Sequence, residues 1–404
     1  MTLLRIAWRN VWRNSRRSLV TIAAMAFALW TTILYSGLVQ GYLDSMEGDV
    51  LDLEVGDLQI HPEAWDDEPG LSTVIEDPAA LVAALEEAGL TATVRLLSGG
   101  LAASDEASAG VVLRGLDPVA DARALKLPER LGEGRWLAAD APKGVVIGRR
   151  LARALGVGLG DELVVLSQAA DGSVANDLFA VRGILGPVSE GTDRAAIFLL
   201  DTTFRELFVL PRGAHEIIVR RPADLPLDEA AARARTAAGP AVVQTWRELL
   251  PTIATMLDSS RSVMVFVFLI IYLAIGILVL NAVLMAVFER VRELGVMKAL
   301  GMGPWAVLAL IVTETAIQTV LAIAVGTLLA APFAWYLTVH GINVGALGGT
   351  AVMGLAMAEV WTGSYDLQNL TTAVVLLLVI VAFATLIPAI RAARLRPIDA
   401  MRYQ

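Results

Sequence analysis

Side chains that could carry out catalysis are few in this chain and lie far apart. There is no cysteine, which excludes thiol catalysis, disulfides and cysteine-ligated metals. The three histidines, His61, His215 and His340, match no spacing of metal ligands. The motifs G-x-x-x-x-G-K-[ST], G-x-S-x-G and H-E-x-x-H do not occur. We expect no catalytic residue, no metal site and no cofactor bound by this chain.

Three closely spaced glycines, Gly156, Gly158 and Gly160, are only superficially like a dinucleotide-binding fingerprint. They follow a predicted helix, Arg149–Leu155, and precede a predicted strand, whereas a dinucleotide loop follows a strand and opens a helix. We interpret them as turn glycines.

Apolar residues dominate the composition. Hydrophobic residues make up 56% of the chain and charged residues 18%, and the mean hydropathy is +0.63. The excess lies in uncharged runs, which are Ser18–Leu43, Ser262–Phe288, Thr315–Ala358 and Leu367–Ile390. The third run is too long for one helix and its second half is rich in glycine, so we place that span at 305–339 and the fourth at 371–390. The sequence therefore predicts four transmembrane helices.

Basic residues near these spans predict the orientation of the chain. They lie in an N-terminal elbow (1–17), in the link after the second span and in the tail (391–404), and are Arg5, Arg9, Arg13, Arg16, Arg17, Arg290, Arg292, Lys298, Arg391, Arg394, Arg396 and Arg402. Residues 340–370 contain neither lysine nor arginine. The positive-inside rule places both termini and the link in the cytoplasm, and the 340–370 loop and the domain after the first span outside it. The first apolar run exceeds the roughly 7–15 residues of a signal-peptide core, so a retained signal anchor is favoured over a cleaved one.

Between residues 56 and 245 the pattern becomes that of a soluble domain. The predicted strands are Asp57–His61, Gly110–Leu116, Gly144–Ile147, Glu162–Leu166, Leu178–Ile184, Ala195–Leu199 and Glu216–Arg220. Helix signals lie between them, at the Asp77-Pro78 and Asp201 caps and at Leu227–Ala238. We expect an α+β domain with two small lobes.

Acidic residues are concentrated in and around this domain. Residues 39–261 hold 20 basic and 35 acidic residues, whereas the rest of the chain holds 12 and 6. No acidic pair stands out from a solvated surface. The acidic balance argues against a nucleic-acid partner.

The two junctions between the domain and its flanking spans have apolar residues at helical spacing. These are Val39, Tyr42, Leu43, Met46, Val50 and Leu53 after the first span, and Trp246, Leu249, Leu250, Ile253, Met256 and Leu257 before the second. Pro251 predicts a kink. We expect residues 18–55 and 246–288 each to form a span with a projecting stalk. Two short connectors lying on the membrane surface are the alternative.

The link between the second and third spans, residues 289–304, is predicted to be a short amphipathic helix. Its apolar positions are Val291, Leu294, Met297 and Leu300, and Gly301 to Pro304 end it. Such a helix suits either docking into a groove of a soluble partner or lying on the membrane surface.

Glu314 is the one charged residue within a predicted span. A charge in that position is costly and often functional. The alternative is that it lies near the cytoplasmic end and bonds a neighbouring helix.

The link resembles the signature of the FtsX-like permease family, E-R-x-x-E-[IL]-G-x-x-[RK]-A-[LI]-G. The matching residues are Glu289, Arg290, Glu293, Leu294, Gly295, Lys298, Ala299, Leu300 and Gly301. The segment from Pro388 to Arg402 resembles the closing motif of the family, with Met401 in place of leucine, and Ala7-Trp-Arg-Asn10 resembles its elbow. In the domain, Val146 to Asp161 is similar to the periplasmic core of MacB and LolC/LolE permeases, and Gly56-Asp-Leu-Gln-Ile-His61 to a segment of lipoprotein-releasing relatives.

The resemblance implies a type VII ABC transporter permease, closest to the LolC/LolE group. Its fold would be four transmembrane helices with a large extracytoplasmic α+β domain of MacB type between the first two. A separate cytoplasmic ABC ATPase dimer, which binds ATP and Mg²⁺, would dock on the link, beside a second permease copy or a paralogue, in the bacterial inner membrane. ATP hydrolysis would move the stalks and the outer domain, a mode called mechanotransmission, and release lipoproteins to a periplasmic carrier. Export of small hydrophobic molecules or peptides with an adaptor, and signalling to a cell-wall hydrolase, are the alternatives.

Three sets of site residues are expected. The ATPase-coupling helix contains Glu289, Arg290, Arg292, Glu293, Leu294, Gly295, Lys298, Ala299 and Gly301. A substrate cleft is expected at Val39, Tyr42, Leu43, Met46, Ile253, Met256, Leu257 and Val263. A hairpin at Ala170, Asp171, Gly172 and Ser173 either contacts a carrier protein or is a plain surface turn.

Overall fold

The computed structural model describes residues 2–13, 15–65, 70–343 and 360–394. The α-helices are α1 (Thr2–Arg13), α2 (Ser15–Val50), α3 (Pro78–Glu87), α4 (Pro118–Ala124), α5 (Arg149–Leu155), α6 (Glu190–Ala195), α7 (Asp201–Leu207), α8 (Leu227–Ala238), α9 (Trp246–Leu249), α10 (Pro251–Glu289), α11 (Val291–Ala299), α12 (Pro304–Val339) and α13 (Leu367–Arg394). A π-helical turn follows α2 at Leu51–Val55, and a 3₁₀ turn lies at Leu127–Arg130. The motif residues Arg396, Met401 and Arg402, and the glycine-rich part of the 340–370 loop, lie outside the described residues.

The strands are β1 (Leu58–His61), β2 (Thr91–Ala103), β3 (Ser108–Leu116), β4 (Leu131–Gly134), β5 (Gly144–Ile147), β6 (Glu162–Gln168), β7 (Val174–Leu185), β8 (Ala196–Leu200), β9 (Glu216–Arg220), β10 (Val242–Thr245), β11 (Ile342–Asn343) and β12 (Val360–Trp361). The described residues divide into two compact units. We call residues 2–44, 256–343 and 360–394 the membrane unit, and residues 45–255 the outer domain.

Within the described residues, four helices are long and apolar enough to cross a membrane, which confirms the four predicted spans. They are Ser15–Val55, Pro251–Glu289, Pro304–Val339 and Leu367–Arg394. The last helix extends beyond the predicted 371–390 at both ends. Apolar composition predicts which residues lie in the bilayer, but not where the helical hydrogen bonds end.

The four long helices share one apolar core in the membrane unit. Met25 and Leu29 of α2, Val279 of α10 and Leu377 of α13 are completely buried there. A Cβ atom on Gly326 of α12 would lie only 2.8 Å from the carbonyl oxygen of Ala26, so glycine is what lets α12 approach α2 so closely. Small residues at such crossings stabilise helix pairs in lipid, where exclusion of water contributes little.

A short segment after β12 packs against α2. The Ser364 amide donates to the Gly37 carbonyl over 2.9 Å, and the Tyr365 hydroxyl donates to the Leu34 carbonyl over 3.2 Å. Any side chain on Gly37 would collide with the Tyr365 ring, and one on Gly41 with the Thr362 carbonyl. The segment can pack this closely on α2 because both positions are glycines.

The outer domain is built on one mixed sheet, which confirms the predicted α+β class. Its strand order is β10-β1-β9-β2-β3-β8-β5-β7-β4, and β6 pairs with β2 and β7. The β3–β8 and β5–β7 pairs are parallel, and the other pairs are antiparallel. Strands β2, β4 and β10 were not expected from the sequence. In β2 the pair Gly99-Gly100 hides the strand pattern, because glycine is uncommon in strands. Packing requires the glycine at position 100, since a Cβ atom there would lie 2.9 Å from the Leu166 carbonyl of β6.

Several apolar clusters pack against this sheet, and the two largest lie on different strands. Helices α3 and α8 pack on β1 and β9 around buried Leu85, Ala230 and Ile217. Helices α5 and α7 pack on the strands further along around buried Leu151 and Phe204. The strands form one continuous hydrogen-bonded path, so the sheet is not divided into the two lobes that were expected.

Three expected helix boundaries are corrected by the structure. Asp201 is the first residue of α7 and Leu200 is the cap, so the expected Asp201 cap is wrong. The stalk expected over 246–288 is interrupted at Leu250, so a break lies where Pro251 predicted a kink, and Pro251 begins α10, where a proline loses no hydrogen bond. The link helix α11 begins at Val291, because the chain turns at Arg290, with φ −114° and ψ 12°.

Candidate functional site

The link helix α11 buries one side against the membrane unit and leaves the other exposed. Val291, Leu294 and Gly295 are buried. The Lys298 ammonium donates to the Ala393 carbonyl of α13 over 2.7 Å, which fixes the end of the helix. Thus Leu294, Gly295 and Lys298 of the expected coupling residues hold α11 in place.

The other side of α11 is exposed and partly apolar. Arg292 and Ala299 are exposed. Leu300 is 84% exposed and Trp305, at the start of α12, is 80% exposed. Val296 is also exposed. Apolar side chains with this much free surface, grouped around a basic residue, are typical of a protein-binding face.

Six charged residues form ion pairs between α1, α2, α10, α11 and α12. We call them the elbow–link cluster: Arg13, Arg17, Glu289, Arg290, Glu293 and Glu314. One Arg13 nitrogen, Nη2, donates to both carboxylate oxygens of Glu293, over 2.9 and 2.7 Å, and Arg17 donates to Glu289 over 2.8 Å. Arg17 also donates to the Ala282 carbonyl.

Arg290 is shared between two carboxylates of this cluster. Its Nη1 donates to both oxygens of Glu314 over 3.1 and 3.2 Å, and its Nε donates to Glu293 over 3.3 Å. The side chain of Glu314 is only 16% exposed and that of Arg290 17%. Glu314 therefore bonds the turn before α11, which favours the second interpretation of this residue, contact with a neighbouring helix.

A polar cavity of about 220 Å³ lies beside the cluster. Asn10, Ser18 and Gln318 line it together with the charged residues, and the Gln318 amide donates to the Ser18 hydroxyl over 3.2 Å. A polar cavity of this size has room for several water molecules, each needing about 30 Å³. Water there would keep the pairs hydrated and able to exchange partners.

The hydrogen bonds from Arg13 hold the pKa of Glu293 below its usual value, against a smaller opposing effect of burial. Arg290 and the positive charge of both arginines act in the same direction. Glu293 is thus kept ionised, and at neutral pH its bonds to α1 are charge-assisted.

The expected cleft residues do not share one environment. Leu43 and Leu257 are completely buried, and Met46 and Ile253 nearly so. The remaining four differ, since Val39, Tyr42 and Met256 are half-buried and Val263 is exposed. The Tyr42 ring also contacts that of Trp361, at 4.7 Å between centroids. The expected substrate cleft stays a prediction.

The expected carrier-contacting residues form the tight turn between β6 and β7. Gly172 has φ +83°, and Asp171 accepts from the Ser173 amide and hydroxyl over 3.0 and 2.6 Å. These bonds hold the pKa of Asp171 below its usual value. The contact with a carrier stays a prediction.

A second set of ion pairs, which was not expected from the sequence, fixes the end of α2 in the outer domain. We call it the outer anchor; its carboxylates are Asp49, Asp52, Glu54 and Asp57. Asp49 pairs with Arg130, Asp52 with Lys126 and Arg220, Glu54 with Arg114, and Asp57 with Arg220 and Arg221.

The outer anchor is reinforced by apolar and backbone contacts. Leu53, on the same turn, is buried in a cluster with Leu116 and Phe198. Glu54 also accepts a hydrogen bond from the Thr192 hydroxyl, and Asp57 from the Arg221 amide. These acidic residues, none of which stood out in the sequence from a solvated surface, are thus bound to the domain.

Comparison with known proteins gives two matches along the chain to family models. One described as "FtsX-like permease C-terminal" matches residues 265–397, and one described as "MacB-like periplasmic core domain" matches residues 18–237. The chain is 32% identical over 129 residues to "Uncharacterized ABC transporter permease YknZ" of Bacillus subtilis (strain 168), a match that covers 32% of this chain and 28% of the relative.

Two solved structures are similar to about half of the chain. The periplasmic region of MacB from Actinobacillus actinomycetemcomitans is 14% identical, with a TM-score of 0.36, over 49% of this chain and 91% of that one. The extracellular domain of the transporter YknZ from Gram-positive bacteria is 13% identical, with a TM-score of 0.33, over 46% of this chain and 98% of that one.

Proposed function

The chain belongs to the family of permeases defined by a MacB-like periplasmic core domain and an FtsX-like C-terminal region, and from this premise we propose that it is the membrane subunit of an ABC transporter. A separate cytoplasmic ATPase dimer would bind ATP and Mg²⁺, and a second permease copy or a paralogue would complete the assembly in the bacterial inner membrane. Both termini and α11 would lie in the cytoplasm, with the outer domain in the periplasm.

The exposed face of α11 carries the proposal of an ATPase partner. Val296, Leu300 and Trp305 offer apolar surface, and Arg292 adds a positive charge. The helix is seated by its opposite side, through Leu294 and Gly295. A helix that packs on the membrane unit through one side and exposes apolar side chains on the other suits docking into a groove of a soluble protein.

Movement of α11 would be passed on by the long helices that flank the elbow–link cluster. Arg17 belongs to α2, whose end is held by the outer anchor, and Glu289 is the last residue of α10. Before α10, the Thr245 hydroxyl and Glu248 form a reciprocal capping box at the start of α9. Since the end of α2 is fixed within the outer domain, work done on α11 would reach that domain through α2, which is the mechanotransmission that the resemblance implies.

We place lipidated proteins first among the substrate classes. The segment from Gly56 to His61 resembles lipoprotein-releasing relatives, and the half-buried Val39 and Met256 offer apolar surface at the ends of two spans. A periplasmic lipoprotein carrier, or an adaptor, would receive the substrate. The resemblance in β1 concerns buried strand residues, Leu58 and Ile60, so it supports a relationship and not a contact with substrate.

The docking face is tested by charge substitution. Val296→Glu with Leu300→Glu should abolish co-purification of the ABC ATPase with the tagged chain and the ATP turnover of the complex, because charges would replace the apolar surface. Leu159→Glu with Val174→Glu, at exposed apolar positions of the outer domain, is the matched control and should leave both unchanged. Full assembly and turnover of the first variant would reject the docking face.

The substrate is tested separately. Val39→Glu or Met256→Glu should stop release of lipidated proteins from spheroplasts while the ATPase still co-purifies, and Thr255→Glu, an exposed neighbour, should not. Mass spectrometry of the purified complex identifies the bound class. Small hydrophobic molecules in place of lipidated protein would favour the exporter, and a cell-wall hydrolase as the periplasmic partner would favour the signalling protein.

A further inference from the structure

The N-terminal helix α1 is amphipathic, and only one of its sides is covered by the membrane unit. Ala7, Asn10 and Val11 are buried against the unit. Trp8 and Leu4 remain exposed, by about half of their surface or more. Tryptophan and leucine beside arginine on one helix are typical of a segment that lies at a membrane interface.

The exposed side of α1 forms a groove with α12. The groove has a volume of about 680 Å³, and its lining is almost wholly apolar. Leu4 and Trp8 line it from α1, and Ala316, Ile317 and Val320 line it from α12. Because α12 is one of the four helices able to cross a membrane, we expect the groove to face the acyl chains of lipids.

Two arginines complete the groove. Arg5 and Arg9 line it and lie one helical turn apart on the exposed side of α1. Among the described residues, neither makes an ion pair or a side-chain hydrogen bond, in contrast to Arg13 and Arg17. No carboxylate precedes Asp44 in the sequence. The groove thus combines an apolar channel with two positive charges that have no counter-ion in the described part of the chain.

We propose that this groove is a binding site for an anionic phospholipid. An acyl chain would occupy the apolar channel between Trp8 and Val320, and the guanidinium groups of Arg5 and Arg9 would bind the phosphate of the headgroup. Basic residues next to a membrane attract anionic headgroups by roughly a factor of five each, whereas a zwitterionic lipid offers no net charge. The lipid would hold α1, and with it Arg13, against the membrane unit.

The site is tested on the full-length chain by native mass spectrometry, without the ATPase. The delipidated protein is offered an equimolar mixture of phosphatidylglycerol and phosphatidylcholine with the same acyl chains. The wild type should retain phosphatidylglycerol in preference. Arg5→Gln with Arg9→Gln should weaken this preference about 30-fold, and Arg5→Lys with Arg9→Lys should keep most of it.

Two matched controls separate this site from general attraction. Arg16→Gln with Arg391→Gln removes the same charge from exposed positions outside the groove and should leave the preference unchanged. Ala316→Trp should fill the channel and reduce retention of both lipids, whereas Ala324→Trp, at an exposed position outside the groove, should not. Equal retention of the two lipids by the wild type, an equal loss in the Arg16 and Arg391 control, or normal retention by Ala316→Trp would each overturn the proposal.

Discussion

The outer anchor and the elbow–link cluster are both built from arginine and carboxylate side chains, but they differ in burial. In the outer anchor the Asp57 side chain is 4% exposed, and it is bonded to two arginines and a backbone amide. In the elbow–link cluster the Glu293 side chain is 51% exposed and that of its partner Arg13 58%. Exposed pairs contribute about 0–1 kcal/mol, whereas removing one partner of a buried pair costs about 3–5 kcal/mol.

This difference indicates two separate roles. We expect the outer anchor to stay closed, because opening it would separate its ion pairs and expose the buried Leu53. The Arg13–Glu293 pair of the elbow–link cluster can open at little cost, because both side chains are more than half exposed and water can replace each partner. The proposed transmission of movement would need both a fixed attachment and a joint that yields.

The largest expected effect concerns the fixed attachment. Asp57→Ala should lower the free energy of unfolding of the full chain by about 3 kcal/mol, at the low end for a buried pair because Arg220 and Arg221 are partly exposed. Thermal and denaturant unfolding in detergent measure this. Asp177→Ala, which removes the exposed pair with Lys143, is the control and should change it by less than about 0.5 kcal/mol. Equal effects of the two substitutions would remove the distinction between the clusters.

A smaller effect on stability, but a clear one on coupling, is expected at the yielding joint. Glu293→Arg should reduce ATP turnover of the assembled complex about tenfold, since it places like charges beside Arg13 and Arg290. Arg13→Glu combined with Glu293→Arg should restore most of it by re-forming the pair in reverse. Turnover is measured in nanodiscs with the partner ATPase. If the double variant is no better than Glu293→Arg alone, the Arg13 pair is not the reason for the loss.

Glu314→Gln should have an intermediate effect at the same joint. It keeps the volume of the side chain but removes the charge that Arg290 contacts at 3.1 Å, so Arg290 is left to Glu293 alone. We expect about a threefold loss of turnover, corresponding to about 0.7 kcal/mol. Asp366→Asn, at an exposed position directly before α13, is the control and should cause no loss of turnover. Wild-type turnover in Glu314→Gln would mean that the third span does not need this bond.

The smallest effect is a dependence on pH. Because its arginine partners lower the pKa of Glu293 in the folded chain, the pair is fully formed at neutral pH and is lost as the pH falls through that lowered pKa. Hydrogen exchange of residues 2–13, corrected for the intrinsic rate, should therefore quicken at acid pH. Glu293→Gln should exchange faster at neutral pH and show little further change on acidification. A wild-type response that persists unchanged in Glu293→Gln would assign the transition to another group.

The spans could be predicted from the sequence because apolar composition decides them locally. The link helix α11 could also be predicted, because its charges and glycines match a short motif. The strand at Gly144–Ile147 could be predicted as well. The start of α11 was less accessible from the sequence, since Arg290, where the chain turns, is bonded to Glu314, 24 residues away.

The ion pairs of the outer anchor could not be found in this way. Asp52 and Arg220 are 168 residues apart, and Glu54 and Thr192 are 138 apart. Pairing at such distances depends on sheet topology, which no local pattern contains. The one available signal was the adjacent basic pair Arg220-Arg221 at the end of a predicted strand, set against an acidic segment of matching charge.

Hydrogen exchange across the nucleotide cycle tests the central claim most directly. The complete complex with its ATPase is compared without nucleotide and with ATP bound but not hydrolysed. Exchange should change in α1 and α11, residues 2–13 and 291–299, while residues 49–61 of the outer anchor keep the same protection in both states. An outer anchor that opens with nucleotide, while α1 and α11 do not respond, would contradict the account.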